Sequence, residues 1–593
     1  MDQGLFESER EPSLLVNAGS QPVMEDPRGE GQTAQFSGKL QAEGMMKKMD
    51  LSRLVGQMLI FGVPGRSVGA LHREIFAKYA PGGIILYSRN LWRREQIQSF
   101  TLDLQELSQE FAGVSLLVAV DQEGGRVVRV REEGAILPSQ MAIGATGSQR
   151  LAYLAGKATA LSLLSLGIHA NFSPVLDIQG AQTNPMIGVR SFGGDPELVT
   201  KLGYWHAKGM RDSGVLSVVK HFPGHGATVR DSHRGASQAT QGAVAFEYSD
   251  LLPFRKVLRL GVDAVMTAHA AYPMLDGGKS RPATLSPLIL THLLREELGF
   301  DGLVITDDLE MGAIEKEYEI GNAAVQAVLA GADMVMVAWT LQKQKRVHEA
   351  LTQAVHNGVI PLERIEQSVR RILSIKNRYR DVNSRKLEAY NPYPGEGHIP
   401  PTIEKLRWDE GKKRADSFSH RLQRVIAEAS VTLLKNDKKI LPLLPRSESQ
   451  RIVLLSPLYR FTKSFLDSGL QQMKVIPLPL LFRAGEAATF AERHEGDLRS
   501  ADLIVVGVIN RSQAQLVQLL TLRHRQPVVA ISFGEPEFYR WFPKVSAYLC
   551  AYSISPGVPE VAAEVALGLK PPRGKLPVTL SQNYPIGYGL SFR

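Results

Sequence analysis

The hydrophobic pattern between residues 51 and 380 alternates between two kinds of segment. Short, continuous apolar runs recur, and most are separated by segments whose apolar residues repeat with helical spacing. The runs predict eight strands: Gln57–Phe61, Gly83–Tyr87, Leu116–Val120, His169–Phe172, Val215–Val219, Ala264–Thr267, Gly302–Thr306 and Met334–Ala338. Because each strand is followed by room for a helix, the pattern predicts an α/β fold, a (β/α)8 barrel of the TIM type.

Six of the intervening segments have clear helical spacing. They are Leu151–Leu166, Pro196–Arg211, Leu251–Leu260, Pro287–Leu298, Asn322–Ala330 and Pro361–Tyr379. Three open with proline, which the first helical turn tolerates because its N–H needs no partner there. An open doubly wound sheet is the alternative fold. It is disfavoured because no Gly-x-Gly-x-x-Gly motif follows the first strand.

The rest of the chain divides by composition. Residues 1–45 are acidic and polar and are predicted to be a disordered extension, and residues 381–416, rich in polar residues and proline, are predicted to be a linker. The barrel domain would then occupy residues 46–380. Residues 417–593 are predicted to form a smaller α/β sandwich, with a helix near Ser419–Ala429 and apolar runs at Val431–Leu434, Ile452–Leu455, Leu503–Val508, Val528–Ser532 and Ala547–Ala551.

Composition narrows the function only slightly. The net charge is +9, but the basic residues are scattered among acids, which does not indicate a nucleic-acid partner. Cys550 is the only cysteine, which excludes a disulfide framework and a thiolate metal cluster. No run is apolar enough to span a membrane, and no signal-peptide core is visible. We therefore expect a cytoplasmic protein, with export as the alternative.

Ionisable residues concentrate directly after the predicted strands. They are Asp121, Glu123, Arg126 and Arg129 after the third strand, Asp177 after the fourth, Lys220 and His221 after the fifth, His269 after the sixth, and Asp307, Asp308 and Glu310 after the seventh. The carboxyl ends of the strands are the face on which barrel enzymes build their sites. The pattern therefore indicates an enzyme.

The densest group lies between Val218 and Ser237. Six ionisable residues fall within fourteen positions, separated by turn-forming residues: Lys220, His221, His225, Arg230, Asp231 and His233. The alternative interpretation is an ordinary polar strand exit and a surface loop. The grouping favours a catalytic site, because ionisable groups gather where chemistry is done.

Hydrolysis of a glycosidic bond usually needs two acid/base groups flanking that bond, and the chain offers a candidate for each. Asp307 at a strand end would serve as nucleophile, while Asp308 points to the other side of the strand and would be structural. Asp231 and His233, two residues apart on one loop, would form a dyad. The acid would orient and charge an imidazole whose ordinary pKa is near neutrality.

Three motifs together carry a family resemblance. They are Lys-His-Phe-Pro-Gly-His-Gly followed by Asp-Ser-His, then Asp-Gln-Glu-Gly-Gly-Arg, and Thr-Asp-Asp-Leu-Glu-Met. With them the chain resembles the bacterial β-N-acetylhexosaminidase branch of glycoside hydrolase family 3, in its two-domain form. The resemblance covers residues 51–380 and extends more weakly to Glu428–Asn436 and Gly574–Leu580.

The resemblance implies a retaining exo-β-N-acetylglucosaminidase that removes terminal β-linked N-acetylhexosamine from peptidoglycan fragments. Asp307 would form a glycosyl-enzyme ester, and His233, held by Asp231, would act as acid and then as base. The substrate-binding residues implied are Asp121, Arg129, Arg190, Lys220 and His221, with His269 and Met311 lining the site. His225 would shape its loop, and Glu123 would cap a tight turn. No metal or cofactor is implied.

Other functions stay open at this point. Phosphorolysis is an alternative, because a neutral imidazole would repel an incoming phosphate less than a carboxylate would. Another activity of the family, such as a β-glucosidase, is disfavoured by the Asp231/His233 loop and by the Thr-Asp-Asp segment. A barrel that only binds glycans is disfavoured because it would need no nucleophile and proton donor together. The second domain is expected to support or narrow the cleft without supplying catalysis.

Overall fold

The computed structural model describes residues 42–131, 136–180, 184, 186–228, 237–389, 418–443, 450–470 and 472–592, with backbone alone at 380–389 and 438. Asp231, His233, most of the predicted N-terminal extension and most of the predicted linker lie outside these ranges. Residues 42–46, predicted in part as disordered, are helical. Ala42 is buried and Glu43 lies 3.6 Å from Arg370, so these residues belong to the barrel domain.

Eight parallel strands close into a barrel, which confirms the predicted fold class. With two short outer strands they are β1 Leu59–Gly62, β2 Gly83–Leu86, β3 Leu117–Val120, β4 Ala170–Asn171, β5 Leu216–Phe222, β6 Ser237–Gln238, β7 Ala264–Thr267, β8 Ala270–Ala271, β9 Leu303–Asp308 and β10 Met334–Val337. The barrel order is β1-β10-β9-β7-β5-β4-β3-β2. The strands β6 and β8 pair with each other outside the barrel.

The barrel strands are continuous apolar runs because they are buried on both faces. The clearest difference from the predicted strands is at β5, which extends three residues further, to Phe222. The strand β9 likewise continues through Asp308. Lys220, His221 and Asp307 therefore stand on strands and not on loops.

Helices surround the barrel as predicted. They are Leu51–Gln57, Ala70–Tyr79, Arg94–Ala112, Gln140–Thr146, Gln149–Leu164, Pro196–Asp212, Ala243–Tyr248, Leu251–Arg259, Gly312–Glu315, Ile320–Ala330, Leu341–His356 and Leu362–Ala389, with a π-helix at Leu288–Glu297. The predicted helix ending at Tyr379 continues to Ala389, nine residues into the predicted linker. Within the described ranges, no helix combines the length and apolar character that crossing a membrane requires.

A second, six-stranded sheet follows. Its strands are β11 Thr432–Asn436, β12 Ile452–Ser456, β13 Met473–Pro477, β14 Leu503–Val508, β15 Val528–Ser532 and β16 Ala547–Cys550, in the order β11-β16-β15-β14-β12-β13. Only β11 runs antiparallel to its neighbour, β16. The helices of this part are residues 418–430, Tyr459–Leu466, Glu486–Arg493, Glu495–Ser500, Arg511–Arg523 and Val558–Leu567. The edge strand β13 was not predicted, because it is half exposed and contains Lys474 and Pro477.

The second sheet is attached to the loops at the carboxyl ends of β3 and β4. Ser139 donates to the carbonyl of Tyr552 at 2.8 Å, and Ser555 donates to the carbonyl of Leu137 at 3.0 Å. The Gly194 N–H donates to the carbonyl of Pro577 at 2.9 Å. One hydrophobic core cluster continues from the barrel into the second sheet. The loops after β3 and β4 are thus held by the barrel on one side and by the second domain on the other.

A buried acid organises the opposite face of the barrel. Asp333, directly before β10, accepts hydrogen bonds from Arg295 at 2.6 Å and Ser368 at 2.8 Å, and it also receives the N–H of Val304 at 3.0 Å. Arg371 lies 3.3 Å from the same carboxylate and 2.9 Å from Asp301, whose side chain is 75% exposed. Asp333 therefore ties two strands, β9 and β10, to two helical segments, Leu288–Glu297 and Leu362–Ala389.

We predict that Asp333→Ala lowers the free energy of unfolding by about 3–5 kcal/mol, because it leaves buried arginines without a counter-charge. Asp301→Ala removes an exposed partner of the same Arg371 and should change that free energy by less than about 1 kcal/mol. Urea unfolding followed by fluorescence measures both. Equal losses in the two variants would contradict the structural role given to Asp333.

Candidate active site

Four charged side chains form a cluster below the carboxyl face of the barrel. Lys220 on β5 is 2% exposed, and its Nζ lies 2.8 Å from Asp121 and 2.7 Å from Glu123. Arg190 binds the same Glu123 with two parallel hydrogen bonds of 2.8 and 2.9 Å. Three of the predicted site residues, Asp121, Lys220 and Arg190, are thus brought together through Glu123.

The two buried groups Glu123 and Lys220 stay charged. Burial acts to raise the pKa of Glu123, but the charges of Arg190 and Lys220 outweigh it and hold that pKa well below its usual range. For Lys220 burial acts to lower the pKa, and Asp121 and Glu123 raise it above its ordinary value. The sequence predicts Glu123 as a cap of backbone N–H groups in a turn. That interpretation is wrong, because the carboxylate serves as counter-charge to two buried cations.

Asp177 fixes the two neighbouring histidines. Its carboxylate accepts a 2.6 Å hydrogen bond from His221 Nδ1 and a 2.7 Å bond from the N–H of His225. These contacts hold the pKa of Asp177 below its ordinary value although burial acts to raise it. Burial lowers the pKa of His225 to about 4, so that imidazole is neutral at pH 7. The Nδ1 of His225 contacts Thr228 Oγ1 on the same loop. This contact fits the predicted role of His225 in shaping that loop.

Asp307 and Asp308 end β9 and point to opposite sides. Asp308 is buried behind the strand and accepts hydrogen bonds from the N–H groups of Ala338 at 3.2 Å and Glu310 at 3.1 Å. Burial raises its pKa to about 7. Asp307 is half-buried and accepts the Asp308 N–H at 2.8 Å.

The charge state of Asp307 is set by its surroundings. Burial acts to raise its pKa, but the charges of His269, His221 and Lys220 and the hydrogen bond from the Asp308 N–H lower it below its ordinary value. Asp307 is therefore ionised at neutral pH. A carboxylate that is ionised and only half-buried suits nucleophilic attack.

His269 and Met311 border this strand end in different ways. His269 is buried, and its Nδ1 lies 2.7 Å from Thr284 Oγ1 while its Nε2 lies 3.0 Å from the carbonyl oxygen of Asp308. Nε2 must carry the proton, since a carbonyl only accepts. His269 thus holds the backbone that carries Asp307. Met311 is half-buried, and its described hydrogen bonds are those of its backbone, including one to the Asp308 carbonyl at 3.0 Å.

Residues after β2 and β10 also border the site, and they were not predicted. Tyr87 is half-buried, and its pKa is raised well above the usual value by desolvation and by the negative charges of Asp121, Asp308 and Asp307. Arg129 lies over the Tyr87 ring at 5.7 Å. The position of Tyr87 at a strand end was a signal that could have identified it.

Asp231 and His233 lie outside the described residues. The residues that flank them are positioned near the other candidates, since Thr228 bridges to Ala239 and β6 pairs with β8, directly after β7. The pairing of Asp231 with His233 therefore stays a prediction.

The second domain reaches the loop that carries Arg190. Glu537 accepts a 3.1 Å hydrogen bond from the side-chain amide nitrogen of Gln179, whose Oε1 accepts the Gly188 N–H at 3.1 Å. Glu535 lies 3.6 Å from Arg126. Burial raises the pKa of Glu537 from its ordinary 4.5 to about 7. The turn that presents Arg190 to Glu123 is thus supported by an acid of the second domain.

The fold and the site together define a (β/α)8 barrel with an ionised carboxylate, Asp307, at the end of β9. Residues 51–375 match the glycosyl hydrolase family 3 N terminal domain, so the chain belongs to glycosyl hydrolase family 3. It is therefore a glycoside hydrolase.

Similar proteins of this family are known from several bacteria. The chain is 34% identical to Beta-hexosaminidase A of Pseudoalteromonas piscicida over 405 residues, which are 65% of this chain and 64% of that protein. It is 36% identical to a Beta-hexosaminidase of Alkalilimnicola ehrlichii over 47% of this chain and 80% of the relative. A solved family 3 β-N-acetylglucosaminidase from Paenibacillus sp. str. FPU-7 has a TM-score of 0.78 and 33% identity, covering 90% of this chain and 99% of that structure.

The raised pKa of Glu537 predicts a pH-dependent stability. Between pH 4.5 and about 7 the folded state holds a proton that the unfolded state has lost, so stability falls as pH rises through this window. The size of the effect is roughly 3 kcal/mol. Glu537→Gln should remove the part of the fall in the free energy of unfolding that comes from this carboxyl group.

Urea midpoints of wild type and Glu537→Gln at pH 4.5, 6 and 8 measure the difference. The variant should gain stability relative to wild type as pH rises. A constant difference at all three pH values would show that Glu537 does not titrate in this range.

Proposed function

We propose that this protein is a retaining exo-β-N-acetylhexosaminidase that removes terminal, non-reducing β-linked N-acetylglucosamine. The observation that carries the proposal is the pair at the end of β9, where Asp307 is ionised and half-buried while Asp308 is buried behind the strand. The substrate class is supported by relatives named Beta-hexosaminidase and by a similar structure titled β-N-acetylglucosaminidase. The proposed natural source, peptidoglycan fragments, comes from the sequence resemblance.

In the first step an Asp307 oxygen attacks the anomeric carbon while the bond to the leaving oxygen breaks. His233, oriented by Asp231, gives its proton to that oxygen, and a glycosyl-enzyme ester remains. In the second step the neutral imidazole takes a proton from water, which attacks the same carbon and releases Asp307 as a carboxylate. Two displacements restore the β configuration of the product.

The charged cluster offers groups that would hold the sugar. Asp121 keeps 18% of its side chain exposed beside Lys220, so its carboxylate has room for a hydroxyl donor. Arg129 has a buried Nε–H with no partner in the described part of the chain. A buried donor without a partner is costly, and a sugar oxygen would satisfy it. Arg190 donates both of its parallel hydrogen bonds to Glu123, so its role is to position that carboxylate.

The second domain would support the site without reacting. Its described contacts with the barrel are made to the loops after β3 and β4, through Ser139, Gln179 and Gly194. These loops carry Glu123 and Arg190. Holding them fixes the counter-charges of Lys220, which lies beside the nucleophile.

We predict that Asp307→Ala lowers kcat/KM on p-nitrophenyl N-acetyl-β-glucosaminide by roughly a thousand-fold or more, because the covalent step is lost. Asp308→Asn is the matched control on the next residue. It keeps an acceptor for the Ala338 N–H and should retain at least about a tenth of the wild-type activity.

The same assays include the β-glucoside and are run with and without phosphate, and NMR identifies the first anomer released. Wild type should act on the N-acetylglucosaminide alone, without phosphate, and release the β anomer. Phosphate-dependent turnover would assign a phosphorylase, and initial release of the α anomer would contradict retention. Equal losses in the two variants would remove the distinction between Asp307 and Asp308.

A further inference from the structure

An exposed aromatic ring stands beside the candidate site and has no role in the mechanism above. Trp339 follows β10 and is 57% exposed, although it is one of the largest apolar side chains. We propose that Trp339, supported by Tyr87 and Arg89, is the stacking platform for the sugar on the leaving-group side of the scissile bond. This inference rests on the proposed glycosidase function.

The backbone at Trp339 is joined to the strand end that carries the nucleophile. The N–H of Trp339 donates to Glu310 at 2.8 Å, and the N–H of Ala338 donates to Asp308 at 3.2 Å. Glu310 is also 3.3 Å from Lys343. The backbone that carries the indole ring is therefore tied to the strand end that carries Asp307.

The ring itself is supported from beneath. The Tyr87 and Trp339 centroids are 4.6 Å apart, and the Arg89 guanidinium lies 4.2 Å from the Trp339 centroid and 5.0 Å from that of Tyr87. Arg89 Nη2 donates to the carbonyl of Ala338 at 2.8 Å. A Cβ at Gly62 would lie 2.9 Å from this Nη2 and 1.9 Å from the Ala338 oxygen, so a glycine is needed there. The platform is thus built from contacts within the chain itself.

The platform runs from the site to the surface. Tyr87 is half-buried within the field of Asp121, Asp308 and Asp307, whereas Trp339 is exposed. An exo-acting enzyme holds the terminal sugar in the polar pocket, so the next sugar must lie outward from it. The C–H face of a pyranose packs on an indole ring and removes apolar surface of both from water. A preformed ring costs little conformational entropy on binding.

Trp92 provides a matched comparison. It is 47% exposed and also stacks on arginines, Arg66 at 5.5 Å and Arg93 at 4.3 Å. Its described ring contacts do not include Tyr87 or any acid of the candidate site. Exposure and stacking on arginine are therefore not enough to identify a tryptophan as a sugar platform. The link to Tyr87 and to the end of β9 distinguishes Trp339.

The test compares two substrates that share the terminal sugar. One is the β-1,4-linked disaccharide of N-acetylglucosamine, and the other is N-acetyl-β-glucosaminyl fluoride, whose leaving group is too small to reach Trp339. Trp339→Ala should lower kcat/KM about ten-fold for the disaccharide and change it less than about two-fold for the fluoride. Trp339→Phe should retain most of the activity on both, and Trp92→Ala should change neither.

Each outcome decides between the two proposals. If wild type turns over neither substrate, the proposed function fails. If wild type turns over both and Trp339→Ala loses activity equally on both, or on neither, the platform is refuted. Trp339→Leu keeps an apolar side chain without a ring and is used if Trp339→Ala does not fold. A Trp339→Leu variant with wild-type activity on the disaccharide would also refute the platform.

Discussion

A buried ammonium group is tolerated in a protein only where carboxylates compensate its charge. Lys220 stands at the end of β5 almost without solvent contact, and its two partners come from the loop after β3. Glu123 in turn holds Arg190, which the turn after β4 presents. One buried charge thus fixes three adjacent segments of the carboxyl face. The second domain holds the same loops from outside, through Glu537 and its contact with Gln179.

The same face separates two adjacent carboxylates into different roles. Strand alternation turns Asp308 into the protein, where burial raises its pKa to about 7 and backbone N–H groups of the next strand engage it. Burial acts to raise the pKa of Asp307, but its interactions with His269, His221 and Lys220 and the hydrogen bond from the Asp308 N–H lower it. Two identical side chains therefore differ in charge because the fold gives them different surroundings. The ionised Asp307 is the carboxylate to which the proposed function gives the role of nucleophile.

Local sequence was sufficient to predict the barrel, because strands such as Val118–Val120 are buried on both faces and read as apolar runs between amphipathic helices. It missed β13, whose lysine and proline suit an edge, and it ended β5 too early at the polar Lys220. The predicted site residues Asp121, Lys220 and Arg190 do meet, but the partners of Glu123 and the proximity of Tyr87 and Trp339 depend on tertiary contacts. No local pattern encodes such contacts. The roles of Asp231 and His233 stay predictions from sequence.

The central claim is that Asp307, and no other residue, forms the covalent intermediate. Mass spectrometry after incubation with a 5-fluorinated N-acetylglucosaminyl fluoride tests it most directly, because the slowed second step lets an ester accumulate. The account predicts one added glycosyl mass on the peptide that contains Asp307, present in Asp308→Asn and absent in Asp307→Ala. A glycosyl group on any other residue, or turnover of this reagent without an adduct at Asp307, would contradict it.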